Sequence, residues 1–299
     1  MAEVLTQAQI DEYREVGGLV VEGRLTEADL AEVRDCIARS YEEAEGLTAS
    51  TERLDLEDSH TPAAPRIRRI KLPHTQYDVF QRLMTSNAIL APARDLIGPN
   101  LRLHTTKLNM KSAGFGAAVE WHQDMAFYPH TNDDVLAIGV MIDDMGAENG
   151  PLMIFPGTHK GPTYNHHADG VFVGAVDLAA EGLDTNDAMM LTGPAGSISI
   201  HHGRVLHGSG LNTSDRDRRL LFYEMMAADS FPVMGSMTGF SSLEEYNTRM
   251  LCGEPTIHPR LTDWPVRIPL PQPTERGSIY EIQKGLKHRG FSIYDSEDA

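Results

Sequence analysis

From Leu101 onward the chain breaks into short apolar runs separated by Gly, Pro and Asn, and this punctuation restricts the possible folds more than any other feature. Leu101 to Met110 is one run, the segment up to Asp124 is another, and Val135 to Ile142 is nearly continuous, as in a strand buried on both faces. Leu152 to Phe155, Gly196 to His201 and Leu220 to Met226 follow. No helices alternate with these runs, so the pattern predicts a mainly β barrel or double-sheet sandwich with flanking helices. The Gly114 and Gly116 pair lacks the third glycine and the following helix of a nucleotide-binding loop.

The first hundred residues read differently. Thr6 and Gln9 form a capping box for a short helix carrying Ile10, Tyr13 and Val16, which Gly17 and Gly18 stop. Leu19 to Val21 reads as a strand, and Thr26 caps a longer helix with Leu30, Val33 and Ile37 on one face. Ala49 to Pro73 loses periodicity and reads as a long loop; its Arg66, Arg68, Arg69 and Lys71 suit either a solvated face or an anionic group. Ser86 caps a helix over Asn87 to Ile97.

Thr163 to Leu191 interrupts the strand pattern like an insertion over the open end of a barrel, and its His166, His167 and Asp169 read as a solvated loop in preference to a second metal site. Phe231 to Glu254, with Met234, Met237 and Met250, reads as core filling ahead of a lid or oligomer contact. The tail predicts a strand over Val266 to Leu270, a short helix near Ile279 to Leu286 and an acidic end, with no chemistry assigned. One domain over residues 1–299 is expected, with N-terminal helices over roughly 1–100, a β core over 101–230 and an extension over 231–299.

With 43 acidic against 26 basic residues and a net charge of −17, the chain has no general attraction for nucleic acid or an anionic membrane. Cys36 and Cys252, neither in a CxxC pattern, fit a reduced compartment without a disulfide scaffold. Met1 to Ile10 lacks a basic region followed by an apolar run, and no window approaches a membrane span, so a cytoplasmic protein is expected. No residue pattern points to an oligomeric state.

Candidate chemistry lies in three places. In an extended segment, His122 and Asp124 point to the same face. Among thirteen histidines such a pair arises by chance, so a structural histidine is the default reading of the pair alone. His207 ends a β-like run among glycines that permit close backbone approach. Arg218, eleven residues later, sits at the mouth of an apolar strand, where a guanidinium can grip a carboxylate with two parallel bonds. Two histidines and a carboxylate form the facial triad of non-haem Fe(II) oxygenases. Three such ligands also suit a catalytic zinc hydrolase, although that chemistry has no use for the arginine anchor. A catalytically silent binding or scaffold protein is the third reading.

Glu120-Trp-His122-Gln-Asp124, Glu148-Asn-Gly-Pro-Leu152, Phe155-Pro-Gly-Thr-His159-Lys-Gly161 and His207-Gly-Ser-Gly-x-Asn-x-Ser214, followed by Arg218 and Arg219, resemble the phytanoyl-CoA dioxygenase family. The resemblance spans most of the chain and implies a double-stranded β-helix, the jelly-roll or cupin-like core, holding Fe(II) and using 2-oxoglutarate and O2. It implies His122, Asp124 and His207 as iron ligands and Arg218 with Ser209 as partners of the far carboxylate of 2-oxoglutarate. Asn109 is a further co-substrate contact, and Lys107 is either another or part of a salt bridge. Arg219, on the opposite strand face, is left out. Met125, Phe127, Tyr128, His130 and Asn132 are expected to line the substrate cavity. Val140 falls where phytanoyl-CoA enzymes carry a tryptophan beside the co-substrate. The implied reaction is hydroxylation or a related oxidation of an unactivated C–H bond with release of succinate and CO2. Relatives that halogenate have a small residue in place of Asp124, so a chlorinated product would refute this reading.

Overall fold

The computed structural model describes residues 2–114, 116–234, 240–274 and 278–291; Met237 and the acidic end lie outside them. The Thr6 capping box opens α1 (Gln7–Val16), and Gly17 ends it at φ 84°, where a side chain would collide with His159. β1 (Gly18–Val21) leads to α2 (Glu27–Ala44), whose capping box pairs Thr26 with Asp29. β2 (Leu54–Leu56) and β3 (Ile67–Lys71) precede α3 (Asp78–Met84) and α4 (Asn87–Ile97). The β core then runs through β4 (Leu101–Lys111), β5 (Val119–His122), β6 (Val135–Met141) and β7 (Leu152–Ile154). A small hairpin of β8 (His167–Ala168) and β9 (Val171–Phe172) and the short α5 (Leu178–Glu181) follow. β10 (Met189–Leu191), β11 (Ile198–His202), β12 (His207–Ser209) and β13 (Arg218–Ala227) complete the core. α6 (Leu243–Asn247), β14 (Met250–Cys252) and α7 (Ile279–Ile282) come last.

The large sheet has the order β1-β11-β6-β13-β4-β3-β2, with β14 added on β4, and the small sheet has the order β10-β7-β12-β5. Every described pairing is antiparallel. Strand alternation assigns the two faces of the large sheet. Leu108, Ile138, Val140, Ile198, Ile200, Leu221 and Tyr223 point outward and pack against Ile10, Val33, Ile37, Phe80 and Ile89 of the four N-terminal helices. Ala137, Met141, Leu220 and Phe222 point inward and pack against Leu152, Ile154 and Leu191 of the small sheet. Two antiparallel sheets face to face, backed by helices, make the double-sheet sandwich that the strand punctuation predicts and the jelly-roll core that the family resemblance implies.

Several expectations are corrected. Ala49 to Pro73 is not a bare loop, because β2 pairs with β3, and β3 aligns Arg69 with Asn109 of β4. Mixed charge hid these strands, since their inward face is polar. α3 was not anticipated, and the Ser86 hydroxyl donates to the Leu83 carbonyl instead of capping α4. Val266 to Leu270 forms no strand. Phe231 to Glu254 contributes a strand to the large sheet, with Met250 opposite Arg102. Val140 packs toward the helices, so the cavity side of β6 is formed by Gly139 and Met141.

Candidate metal centre

His122 is the last residue of β5, and Gln123 keeps an extended backbone (φ −112°, ψ 126°) before Asp124 opens a 3-10 turn. The alternation therefore survives just long enough to place His122 and Asp124 on one face, while Gln123 points the other way. Its amide donates to the Arg204 and Pro162 carbonyls and accepts from the Tyr164 N–H, which pins the His122–Asp124 segment to two loops. β12 brings His207 directly opposite His122 in the ladder, with ring centroids 4.1 Å apart.

The three side chains are buried and offer ligand atoms that all lie within 4.8 Å of one another. His122 Nδ1 lies 2.7 Å from the Glu120 carbonyl and His207 Nδ1 lies 2.9 Å from the Val205 carbonyl. Each carbonyl can only accept, so each Nδ1 carries the proton and each Nε2 presents a lone pair. The two Nε2 atoms lie 3.7 and 3.8 Å from Asp124 Oδ1. These separations fall within the span of about 4.2 Å available to two ligands each roughly 2.1 Å from one ion. Burial holds His122 well below the usual histidine range and His207 at about 4, so both are neutral at pH 7, as ligation requires. Burial pushes the Asp124 carboxyl up, but its surroundings, including Lys107 and a hydrogen bond from His201, hold it well below the usual range and ionised.

Arg218 opens β13 on the inward face and is buried. Its Nε and Nη2 donate to the Gly150 carbonyl at 3.0 and 2.5 Å, which fixes the guanidinium, and no carboxylate pairs with it among the described residues. Burial lowers it to about 10, so it remains a cation at pH 7. A buried cation with no counter-charge fits an incoming carboxylate. Arg218, Ser209, Asn109, His122 and His207 line one cavity, to which Lys107 also contributes. Lys107 Nζ lies 2.5 Å from Glu224 Oε1, so the salt bridge anticipated as one of its two roles forms. Arg219 faces away and pairs with Asp143.

A neighbouring chamber is lined by Asp124, Phe127, Tyr128, His104 and Glu224, and shares Arg69 and Lys107 with the first cavity. The Tyr128 hydroxyl donates to Glu224 at 3.0 Å, and the Phe127 ring stands edge-on to His122 at 5.7 Å. Met125, His130 and Asn132 are placed elsewhere. Met125 packs with Val135, Met226 and Trp264; His130 lies behind Tyr128 with its Nδ1 on that residue's carbonyl; the Asn132 amide donates to the Asp229 and Arg260 carbonyls. The 3-10 turn after Asp124 ends the strand alternation that would have aimed them at the cavity. His166 is also corrected: it is buried, its Nε2 accepts the Gln123 N–H and its Nδ1 donates to the Tyr164 carbonyl. Asp169 turns to Lys287.

Sequence reasoning missed His201, Glu224, Tyr280 and the inward face of Arg69. His201 Nε2 lies 3.3 Å from Asp124 Oδ2, the oxygen that does not face the other two histidines, and so orients the carboxylate. Glu224, a carboxylate inside an otherwise apolar strand, was the one visible signal. The tail, to which the sequence assigns no chemistry, brings Tyr280 to the cavity, and Gln283 clasps the backbone of Glu120, two residues before His122.

The profile of the family Phytanoyl-CoA dioxygenase (PhyH) matches residues 13–220. A probable alpha-ketoglutarate-dependent hypophosphite dioxygenase of Stutzerimonas stutzeri is 34% identical over 284 residues, covering 94% of this chain and 98% of the relative. The peroxisomal phytanoyl-CoA dioxygenase of Bos taurus is 26% identical over 229 residues, covering 73% and 67%. The crystal structure of EctD from S. alaskensis with 2-oxoglutarate and 5-hydroxyectoine has a TM-score of 0.62 at 21% identity, covering 75% of this chain and 77% of that one. The chain belongs to the phytanoyl-CoA dioxygenase family of Fe(II)- and 2-oxoglutarate-dependent dioxygenases.

Proposed function

We propose that His122, Asp124 and His207 hold Fe(II), that Arg218 with Ser209 receives the far carboxylate of 2-oxoglutarate while Asn109 makes a further contact with the co-substrate, and that the neighbouring chamber holds a small-molecule substrate. The observation that carries this reading is the buried triad with both Nε2 atoms turned inward, opening onto the same cavity as a buried guanidinium that has no counter-charge. Bound Fe(II) supplies the redox chemistry: substrate, 2-oxoglutarate and O2 give hydroxylated substrate, succinate and CO2. The protein's own residues bind, orient and exclude water. Arg218 holds the co-substrate, His201 holds Asp124, and Phe127 and Tyr128 close the wall beside the ligands.

The reading treats the chain as one catalytic domain, since the N-terminal helices back the sheet and the C-terminal segment completes the cavity. Two free cysteines support a cytosolic setting, and the net charge of −17 speaks against polyanionic partners. Among the described residues no helix is long and apolar enough to cross a membrane. The test is succinate release with Fe(II), ascorbate and 2-oxoglutarate under air, run against hypophosphite, L-proline, ectoine and phytanoyl-CoA. Turnover by the wild type that collapses in Arg218→Ala supports the reading. A protein that binds neither iron nor 2-oxoglutarate returns the zinc hydrolase and scaffold readings.

A further inference from the structure

The chamber beside the metal centre carries three basic side chains on its wall, Arg69, Lys71 and Lys107. Two of them are already neutralised: Lys107 by Glu224 at 2.5 Å and Lys71 by Asp55 at 2.8 Å. Arg69 has no carboxylate within ion-pair distance among the described residues; Glu52, also on the chamber wall, is exposed and does not reach it. The Arg69 guanidinium is nevertheless fixed. Its Nε donates to Asn109 Oδ1 at 2.9 Å, and its Cζ lies 5.2 Å from the centre of the Tyr280 ring. Its two Nη atoms make no hydrogen bond among the described residues, which leaves the planar fork for a ligand. The β3–β4 register sets this position by placing Arg69 opposite Asn109 on the inward face, where it lines both cavities.

The charges support the same assignment. The two negative charges of 2-oxoglutarate, added to that of Asp124, balance a divalent iron and Arg218. Lys111, also on the cavity wall, is buried beside Arg218 and driven towards its uncharged form. Arg69 then remains as one uncompensated cation facing the substrate.

We infer that Arg69 anchors a compact oxyanion on the substrate, of the phosphinate, phosphonate or carboxylate class, and so selects substrates carrying one net negative charge. This rests on the oxygenase reading above. Arg69 grips the oxyanion with its Nη atoms while Asn109 and Tyr280 hold the fork still.

The experiment is calorimetric titration, without oxygen, of protein loaded with Fe(II) and 2-oxoglutarate. The probes are hypophosphite, methylphosphonate and acetate, with acetamide as the uncharged counterpart of acetate. The wild type is expected to bind at least one oxyanion and to prefer acetate over acetamide. Arg69→Gln should lose roughly tenfold to a hundredfold in oxyanion affinity, the loss of charge-assisted hydrogen bonds, and Arg69→Lys should fall between. In both variants the affinity for 2-oxoglutarate should stay within about twofold. Failure of all three oxyanions to bind the wild type overturns the inference, as does equal oxyanion binding by Arg69→Gln. So does a parallel loss of 2-oxoglutarate affinity in Arg69→Gln, which would move Arg69 into the co-substrate site. A wild type that does not take up iron and 2-oxoglutarate removes the underlying reading instead, and the loading step detects that separately.

Discussion

The two faces of the large sheet are made by the same strands and do opposite work. On β13, Leu221, Tyr223 and Met225 face the helices in a continuous apolar layer, while Arg218, Phe222 and Glu224 face the cavity. The outward face buries its side chains at the usual gain per unit of apolar area. The inward face buries charged groups at a cost, and each is either paired, as Glu224 is with Lys107, or fixed without a counter-charge, as Arg218 is. Burial pushes Glu224 up, but Lys107 outweighs it and brings the carboxyl to about 2. Stability thus resides mainly on one side of each strand and reactivity on the other, and substitutions should separate them.

The sharpest break is Asp124→Ala, which removes the only carboxylate of the triad. Activity should fall by roughly a thousandfold, with iron lost on dialysis and the melting temperature of the metal-free protein nearly unchanged. An equal effect on stability would show that the inward face also carries the fold. Leu221→Ala, on the other face of β13, is the converse. It should cost about 2–5 kcal/mol in denaturant unfolding while the folded protein keeps its iron affinity. Arg218→Ala should raise the KM for 2-oxoglutarate by about ten- to a hundredfold. His201→Phe removes the hydrogen bond to Asp124 Oδ2 and should weaken iron binding by roughly ten- to a hundredfold in a metal-competition assay, with oxyanion binding at Arg69 retained.

The smallest effect is on pH. Burial is the leading cause that holds His130, His166 and His207 at about 4 and His202 at about 3. These pKa values lie below that of the unfolded chain, so the unfolded state takes up protons first. The stability these histidines contribute is complete above about pH 6.5 and is lost as pH falls towards 4. Thermal unfolding of the metal-free protein should be flat from pH 8 to about 7 and decline below about 6.5.

Much of this was legible along the chain. Thr6 with Gln9 and Thr26 mark helix starts through local capping chemistry, and the glycine and proline punctuation marks the strands. The HxD pair needs only strand alternation over three residues, and it works because Gln123 stays extended. Legibility stopped at the turn after Asp124: of the five residues expected along the substrate cavity, Phe127 and Tyr128 line the chamber, whereas Met125, His130 and Asn132 pack elsewhere. It also stopped at β3, where an inward polar face masked the strand period.

The sequence alone determined the mainly β sandwich class, through short-range periodicity, and its motifs singled out His122, Asp124, His207 and Arg218 as candidate site residues through their resemblance to one family. Only the tertiary structure decided that His201 orients Asp124, that Arg69 and Tyr280 share the cavity and that Val140 faces the helices. These relations depend on ladder register and on contacts between segments distant in the chain, such as that of Arg69 with Tyr280. Such contacts leave no local period in the chain, since burial and pairing on folding set them.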